Sequence, residues 1–168
     1  KEIKKIIDTK NSDIILLSNH GIVVGAETPS EVYAITKGIS EKLYQEELNK
    51  TKISLNDFDK YLSFKKYKLP KYEYVHNIAF SYRHSLIAVN GDLFPDQIVF
   101  LKNGIKIIES ISDLESLLTL SNEEHPVILI PNQGLLVPNN FKEVNEITLF
   151  GLAMIISRIP QTSSIKYL

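Results

Sequence analysis

Residues 14–25 read IILLSNHGIVVG, and this stretch decides the expected fold. Two short apolar runs lie on either side of Asn19-His20-Gly21. An uninterrupted apolar run of this length is typical of a strand that is buried on both faces. Gly21 can adopt a positive φ at no steric cost, so the polar tripeptide predicts a tight turn. The stretch therefore predicts a strand, a turn and a second strand.

A capped helix is predicted directly after the second strand. Thr28 is a suitable N-cap, Pro29 suits the first helical position, and Glu31 can complete a capping box with Thr28. The apolar residues that follow recur at helical spacing, so this helix is expected to have one apolar face.

The same pattern occurs a second time in the chain. Residues 14–38 (IILLSNHGIVVGAETPSEVYAITKG) match residues 127–151 (VILIPNQGLLVPNNFKEVNEITLFG) in the apolar runs, in the Asn-x-Gly turn and, after a one-residue gap, in the helix. The position between Asn and Gly differs chemically, because it is His20 in the first copy and Gln133 in the second. The match predicts two related units, although two strand–turn–helix segments can also look alike by chance.

His20 is the candidate metal ligand. A neutral imidazole is a good ligand for zinc, and the predicted turn presents this one between two strands. The alternative is a structural histidine whose ring is satisfied by hydrogen bonds, which is the commoner state of a lone histidine at a strand break. The residue by itself leaves both interpretations open.

Residues 16–25 (LLSNHGIVVG), followed by Glu31 and Tyr33, resemble the signature of class II aldolases and adducin-head domains. The resemblance covers about residues 1–50. It implies that His20 is the third zinc ligand, that a His-x-His pair further upstream supplies the first two, and that a still earlier glutamate is the general acid/base. It also implies that zinc acts as a Lewis acid on a small phosphorylated sugar, and that the protein is a homo-oligomer.

The chain departs from that family in its other histidines. It contains no His-x-His pair; His76 and His84 are eight residues apart, and His125 precedes a proline. Eight residues correspond to roughly two turns of a helix, which is too far for a shared metal ion. Catalytic zinc takes three protein ligands, so His20 alone gives an incomplete site. We therefore expect no catalytic residue here and no aldolase activity from this chain alone.

The rest of the chain is expected to be a degenerate second copy without metal ligands. Residues 91–100 (GDLFPDQIVF) and 104–107 (GIKI) are similar to the beginning of the same family's fold, with a β-hairpin predicted around Asn103-Gly104. Gln133, a poor zinc ligand, stands where the family has histidine. The alternative for this region is an unrelated α/β domain.

The expected fold class is α/β, with a mixed or mainly antiparallel sheet flanked by helices in each of two related, class II aldolase-like units. Residues 1–50 are assigned to the C-terminal part of an aldolase/adducin-type domain, residues 51–71 to a linker, and residues 72–168 to the second unit. The lysine-rich composition of residues 60–71 is typical of a solvated linker.

A strongly apolar helix is predicted after Asn140, whose side chain would form a capping box with Glu143, and it should run to about Arg158. Because it is apolar nearly all round, we expect it to be buried on most sides, between the two units or at a subunit interface.

The composition excludes several classes of function. The net charge of −1 argues against nucleic acid and anionic membranes as partners, and the absence of cysteine excludes disulfides and suits a cytoplasmic protein. The first residues, 1–5, contain neither a signal peptide nor an initiator methionine, so we expect further sequence upstream.

Three functions follow from these observations. The first is a fragment of a zinc-dependent aldolase or epimerase that acts on a phosphorylated sugar. The second is an adducin-like interaction domain without metal. The third is a binding module in which the turn at residues 132–134 contacts a small ligand.

Overall fold

A computed structural model of the chain describes residues 13–44, 58–120 and 125–168. The chain divides into two compact units, residues 1–46 and residues 47–168. Each unit is described separately below.

The described part of the first unit is a β-hairpin followed by a helix. Strand β1 (Ile14–Leu17) pairs antiparallel with strand β2 (Gly21–Val24), and Leu17 lies opposite Gly21. Helix α1 (Pro29–Leu43) follows. The predicted strand, turn, strand and helix are therefore confirmed in this segment.

The start of α1 is the predicted capping box. The Glu31 N–H donates to Thr28 Oγ1 at 3.3 Å, and the Thr28 N–H donates to Glu31 Oε2 at 3.1 Å. Pro29 occupies the first turn, where its missing N–H costs nothing. Two of the donors that a helix leaves unsatisfied at its N-terminus thus find partners.

Most apolar residues of this hairpin are exposed. Leu16 is 71% exposed, and Ile14, Ile22 and Val23 are also exposed. None of the residues of α1, all of which the structure describes, is buried. The expectation that the first strand is buried on both faces is therefore wrong for β1, because the described chain places nothing over Leu16 and Ile22.

The second unit contains more elements. In chain order these are α2 (Asp59–Leu62), β3 (Tyr67–Lys68), a 3-10 helix (Glu73–Phe80), α3 (Tyr82–Val89), α4 (Pro95–Phe100), β4 (Ile105–Ile107), α5 (Ile111–Leu120), β5 (Val127–Ile130), β6 (Gly134–Pro138) and α6 (Glu143–Ile156).

A four-stranded sheet organises this unit, in the order β3-β6-β5-β4. Strands β5 and β6 form an antiparallel hairpin, β3 pairs antiparallel with β6, and β4 pairs parallel with β5. The chain connects β4 to β5 through α5, as a parallel pair requires. The second unit is thus α/β with a mixed sheet, as the sequence predicted.

Both faces of the β5–β6 hairpin are buried, unlike those of β1–β2. Leu129 and Leu135 pack on one face against the 3-10 helix, α3 and α6. Ile128 and Leu136 pack on the other face against α2, α5 and Tyr67. All residues of β5 and β6 are buried, so the continuous apolar run at 127–130 correctly predicted a strand covered on two sides.

Residues 58–71, assigned from sequence to a linker, pack into the second unit. Phe58, Tyr61 and Tyr67 are almost fully buried, and Tyr67 pairs with Pro138. The aromatic side chains enter the core while the neighbouring lysines remain at the surface. A composition rich in lysine therefore suggested a solvated linker, although one face of this segment is buried. The remaining linker positions, 51–57, lie outside the described residues.

The predicted β-hairpin around Asn103-Gly104 is wrong. Pro95 begins helix α4, and the Gln97 side chain in its first turn accepts a hydrogen bond from the Leu93 N–H at 2.9 Å. Gly104 has a φ of 68°, as expected of a turn, but β4 then pairs with β5 and not with residues 97–102.

Helix α6 is confirmed, but its cap is not the predicted one. The Lys142 N–H donates to Asn145 Oδ1 at 2.8 Å, in place of the expected pair Asn140 and Glu143. Its inner face is buried on the sheet, whereas Ile147 and Ile155 on its outer face are exposed. Among the helices in the described ranges, none is long and apolar enough to cross a membrane.

The two copies give a matched test of this difference in burial. Leu129→Ala should lower the free energy of unfolding by about 3 kcal/mol, because Leu129 is fully buried between two helical layers. Leu16→Ala, at the matching position of the first copy, should change it by less than about 0.5 kcal/mol. Urea denaturation of the two variants measures both values, and equal costs would contradict the assigned exposures.

Candidate turn histidine and its second copy

The candidate metal ligand lies in the turn between β1 and β2. Asn19 has a φ of 58° and Gly21 a φ of 120°, both in the left-handed region. The His20 N–H donates to the Leu17 carbonyl oxygen at 3.1 Å and closes the turn. Asn and Gly are the residues that tolerate these angles, so the sequence Asn-His-Gly dictates a short loop with His20 at its tip.

The His20 side chain is exposed, and one of its ring nitrogens has a partner. Nδ1 lies 3.1 Å from the Ser18 carbonyl oxygen. Because a carbonyl oxygen can only accept, this contact requires a hydrogen on Nδ1, which in the neutral tautomer leaves the lone pair on Nε2. A backbone carbonyl that orients the ring through Nδ1 is the arrangement that metal-binding histidines use.

His20 fits one position of a metal site, but not a whole site. Within residues 13–44, 58–120 and 125–168, no three histidine, aspartate or glutamate side chains form a group that could hold a metal ion.

The second copy forms the same turn. Asn132 has a φ of 59°, Gly134 has a φ of 146°, and the Gln133 N–H donates to the Ile130 carbonyl oxygen at 3.1 Å. These values match those of the first turn closely. The repeat recognised in the sequence therefore extends to the backbone conformation of both hairpins.

The surroundings of the second turn differ, because the 3-10 helix packs against it. The Asn132 N–H donates to the Ala79 carbonyl oxygen, and the Leu135 N–H donates to His76 Nδ1, both at 2.9 Å. Gln133 Oε1 is buried and has no hydrogen-bond partner among the described residues. The second turn is thus packed against the 3-10 helix, with Gln133 partly buried, whereas His20 in the first turn is exposed.

His76 is the buried residue that sequence reasoning did not connect with the turn. It is almost fully buried, and burial lowers its pKa to about 4, so its ring is neutral near pH 7 and can accept from Leu135. A Cβ on Gly134 would lie 2.3 Å from His76 Nδ1, so the glycine is required for this contact. No pattern in the sequence linked these two distant positions.

The other two histidines occupy separate environments. Ser81 caps α3, which separates His84 from the 3-10 helix that contains His76, so the single helix expected for both is two helices. His84 is buried, and burial and Arg83 lower its pKa. The His125 ring lies 5.7 Å from the Tyr67 ring.

No family model matches this chain, and comparisons with characterised proteins and with solved structures give no significant match. The resemblance to class II aldolases therefore depends on the sequence motif at residues 16–33 alone.

The two glycines that end the turns should respond differently to alanine. Gly134→Ala combines an unfavourable φ with a contact against His76 and Phe58, and should lower stability by about 3 kcal/mol. Gly21→Ala has a similar φ but meets no atom within 4 Å, so it should cost clearly less. Thermal unfolding of the two variants gives the comparison, and a larger cost at Gly21 would be inconsistent with the two environments.

His76 should make the stability of the second unit depend on pH. Its pKa is lowered from 6.5 to about 4 on folding, so the unfolded chain binds a proton first as the pH falls. Stability is therefore complete above pH 6.5 and decreases between pH 6.5 and 4, by about 2 kcal/mol near pH 4.5. His76→Gln, which keeps an acceptor, should show a smaller decrease in urea denaturation at about pH 4.5 against about pH 7.5. Identical decreases in both proteins would exclude His76 as the cause.

Proposed function

We propose that the chain is part of a zinc-dependent enzyme of the class II aldolase/adducin type, an aldolase or epimerase that acts on a small phosphorylated sugar. His20 is one of its metal ligands. The observation that carries this proposal is the His20 ring itself, exposed at the tip of a hairpin, with Nδ1 held by the Ser18 carbonyl.

The zinc site of this proposal is completed by residues outside the described chain. His20 supplies a single ligand, and a catalytic zinc requires three. The comparison of the two copies supports a larger domain around the first hairpin. Ile22 and Leu16 are exposed, whereas their counterparts Leu135 and Leu129 are fully buried under helices. The first hairpin carries the apolar residues of a covered strand pair, so further protein is expected on its faces.

Each residue of the turn has a separate task in this proposal. Asn19 and Gly21 provide the positive φ values that bring His20 to the tip, and the Ser18 carbonyl fixes the ring orientation and tautomer. When bound, zinc supplies Lewis-acid polarisation of the sugar's carbonyl group. The chain itself fixes the position and orientation of the imidazole ring in the absence of metal.

The second unit has a structural role in this proposal. Its turn carries Gln133 in place of histidine, and the 3-10 helix packs against it. The Gln133 side-chain oxygen is buried and turned away from solvent. We assign the second unit to a degenerate copy whose fold persists without the site.

Zinc binding to the intact chain tests the role of His20. The imidazole nitrogen resonances of the chain are recorded during a zinc titration. Zinc should perturb Nε2 of His20, and His20→Gln, which reproduces the residue of the second copy, should abolish the perturbation. His125→Gln is the matched control and should leave the His20 response unchanged. A zinc response that survives in His20→Gln, or that appears at Nδ1, would refute the assignment.

Metal content tests the wider proposal. The protein isolated from its natural source, with whatever sequence accompanies this chain, should contain one zinc ion per chain, and His20→Gln should lose both the zinc and retro-aldol or epimerase activity on a sugar phosphate.

Exposed apolar residues also favour the adducin-like alternative. Tyr33, Leu43 and Tyr44 are exposed on and beside α1, which suits an assembly surface without metal. A natural protein that assembles normally and holds no zinc would establish that alternative and exclude the enzyme.

A further inference from the structure

A cavity of about 400 Å³ lies in the second unit, far along the hairpin from the Gln133 turn. Val127, the first residue of β5, and Pro138, the last residue of β6, line it, so it lies at the open end of the β5–β6 hairpin. The segment after α4 and the first turn of α6 complete its walls. A volume of this order suits a small molecule.

The polar groups in the cavity wall are cationic or neutral. Lys102, His125 and Lys142 contribute to it, together with the amides of Asn103 and Asn140, and no carboxylate occurs among the described lining residues. A cleft lined by one sign of charge concentrates ligands of the opposite sign. The lining therefore favours an anion.

The two acidic residues at the start of α6 are engaged elsewhere. Glu143 forms an ion pair with Lys71, and the buried Glu146 accepts a hydrogen bond from the Lys71 N–H at 3.1 Å. Neither lines the cavity. The first turn of α6 does line it, through Lys142 and Val144, and this end of a helix has a partial positive charge.

Lys66 adds a further positive charge near the cavity. It is close enough to His125 to contribute, after burial, to the lowered pKa of that imidazole. His125 is therefore neutral near pH 7, and can donate or accept a hydrogen bond without adding a charge.

The cavity also has an apolar wall, formed by Phe100, Phe141 and Val144. The Asn145 side chain connects the two segments that form this wall. It donates to the Phe100 carbonyl oxygen at 2.6 Å and accepts from the Lys142 N–H at 2.8 Å. The end of α4 and the start of α6 are thereby held at a fixed separation. A preformed site of this kind loses less entropy when a ligand binds.

We propose that this cavity binds a small organic anion, with a phosphate or carboxylate group between Lys102 and Lys142 and an apolar part against Phe100 and Phe141. The cavity is built from the second unit alone, so this proposal is independent of zinc binding at His20. It gives the second unit a binding role at a position other than the turn at residues 132–134.

Phenyl phosphate is a suitable probe for the intact chain, because it combines both parts of the proposed ligand. Its binding is measured by calorimetry and by the backbone amide resonances of Gly104, His125 and Lys142. Benzoate replaces the phosphate by a carboxylate, while inorganic phosphate and benzyl alcohol each supply one part. We expect phenyl phosphate or benzoate to bind more tightly than either part alone, with resonance changes confined to the cavity. Whichever of phenyl phosphate and benzoate binds more tightly shows whether the site prefers a phosphate or a carboxylate group.

Three variants test the charge of the lining. Lys142→Gln removes one cation, and Asn140→Asp introduces a carboxylate of nearly the same size. Each should weaken binding by about tenfold or more. Lys106→Gln is the matched control, since Lys106 is exposed on the neighbouring strand β4 and does not line the cavity. The affinity of the Lys106→Gln variant for phenyl phosphate and benzoate should be unchanged.

Several results would overturn the proposal. These are the absence of binding by both organic anions, resonance changes centred elsewhere, or equal weakening by Lys106→Gln. Inorganic phosphate that binds as tightly as phenyl phosphate would also overturn it, because the apolar wall would then have no role. Thermal unfolding shows whether Asn140→Asp remains folded; if it does not, Lys142→Gln alone decides.

Discussion

The hairpin turn Asn-x-Gly imposes a backbone that few residues tolerate, and the core of the second unit depends on it. With Asn132 and Gly134 at positive φ, the loop has a fixed length, and this length fixes which residues of β5 and β6 lie opposite each other. The resulting register places Leu129 and Leu135 on one face of the sheet and Ile128 on the other. A shift by one residue would exchange the two faces and disrupt both clusters.

The same turn has different consequences in the two units, because its surroundings differ. Gly134 lies against His76, which also accepts the Leu135 N–H, so the second turn is part of a packed interior. A Cβ on Gly21 would meet no atom within 4 Å, and His20 remains exposed. The local sequence thus determines the backbone in both copies, while distant segments determine which side chain remains accessible.

This division explains several of the outcomes of the sequence-based predictions, although two local predictions, the Asn140–Glu143 capping box and the Asn103-Gly104 hairpin, were wrong. The Thr28–Glu31 capping box and the two Asn-x-Gly turns involve residues close in the chain, and all three were predicted. The pairing of β4 with β5, the packing of residues 58–71 and the contact of His76 with the second turn involve distant segments, and none of them was. For the candidate site, the sequence identified His20 and its turn, but the cavity beside Lys142 has no local signature because its walls come from several segments.

The substitution of Gln133 for histidine fits the physical state of the second turn. A histidine that binds metal needs one ring nitrogen fixed and the other accessible, and the Ser18 carbonyl provides the first condition for His20. At position 133 the side-chain oxygen is already buried, and the turn is bonded to Ala79. An imidazole at position 133 would have its outer nitrogen in this buried environment, where a metal ion would have little access to it. The Asn and Gly that shape the turn are the same in both copies, because both hairpins require the positive φ values at these two positions.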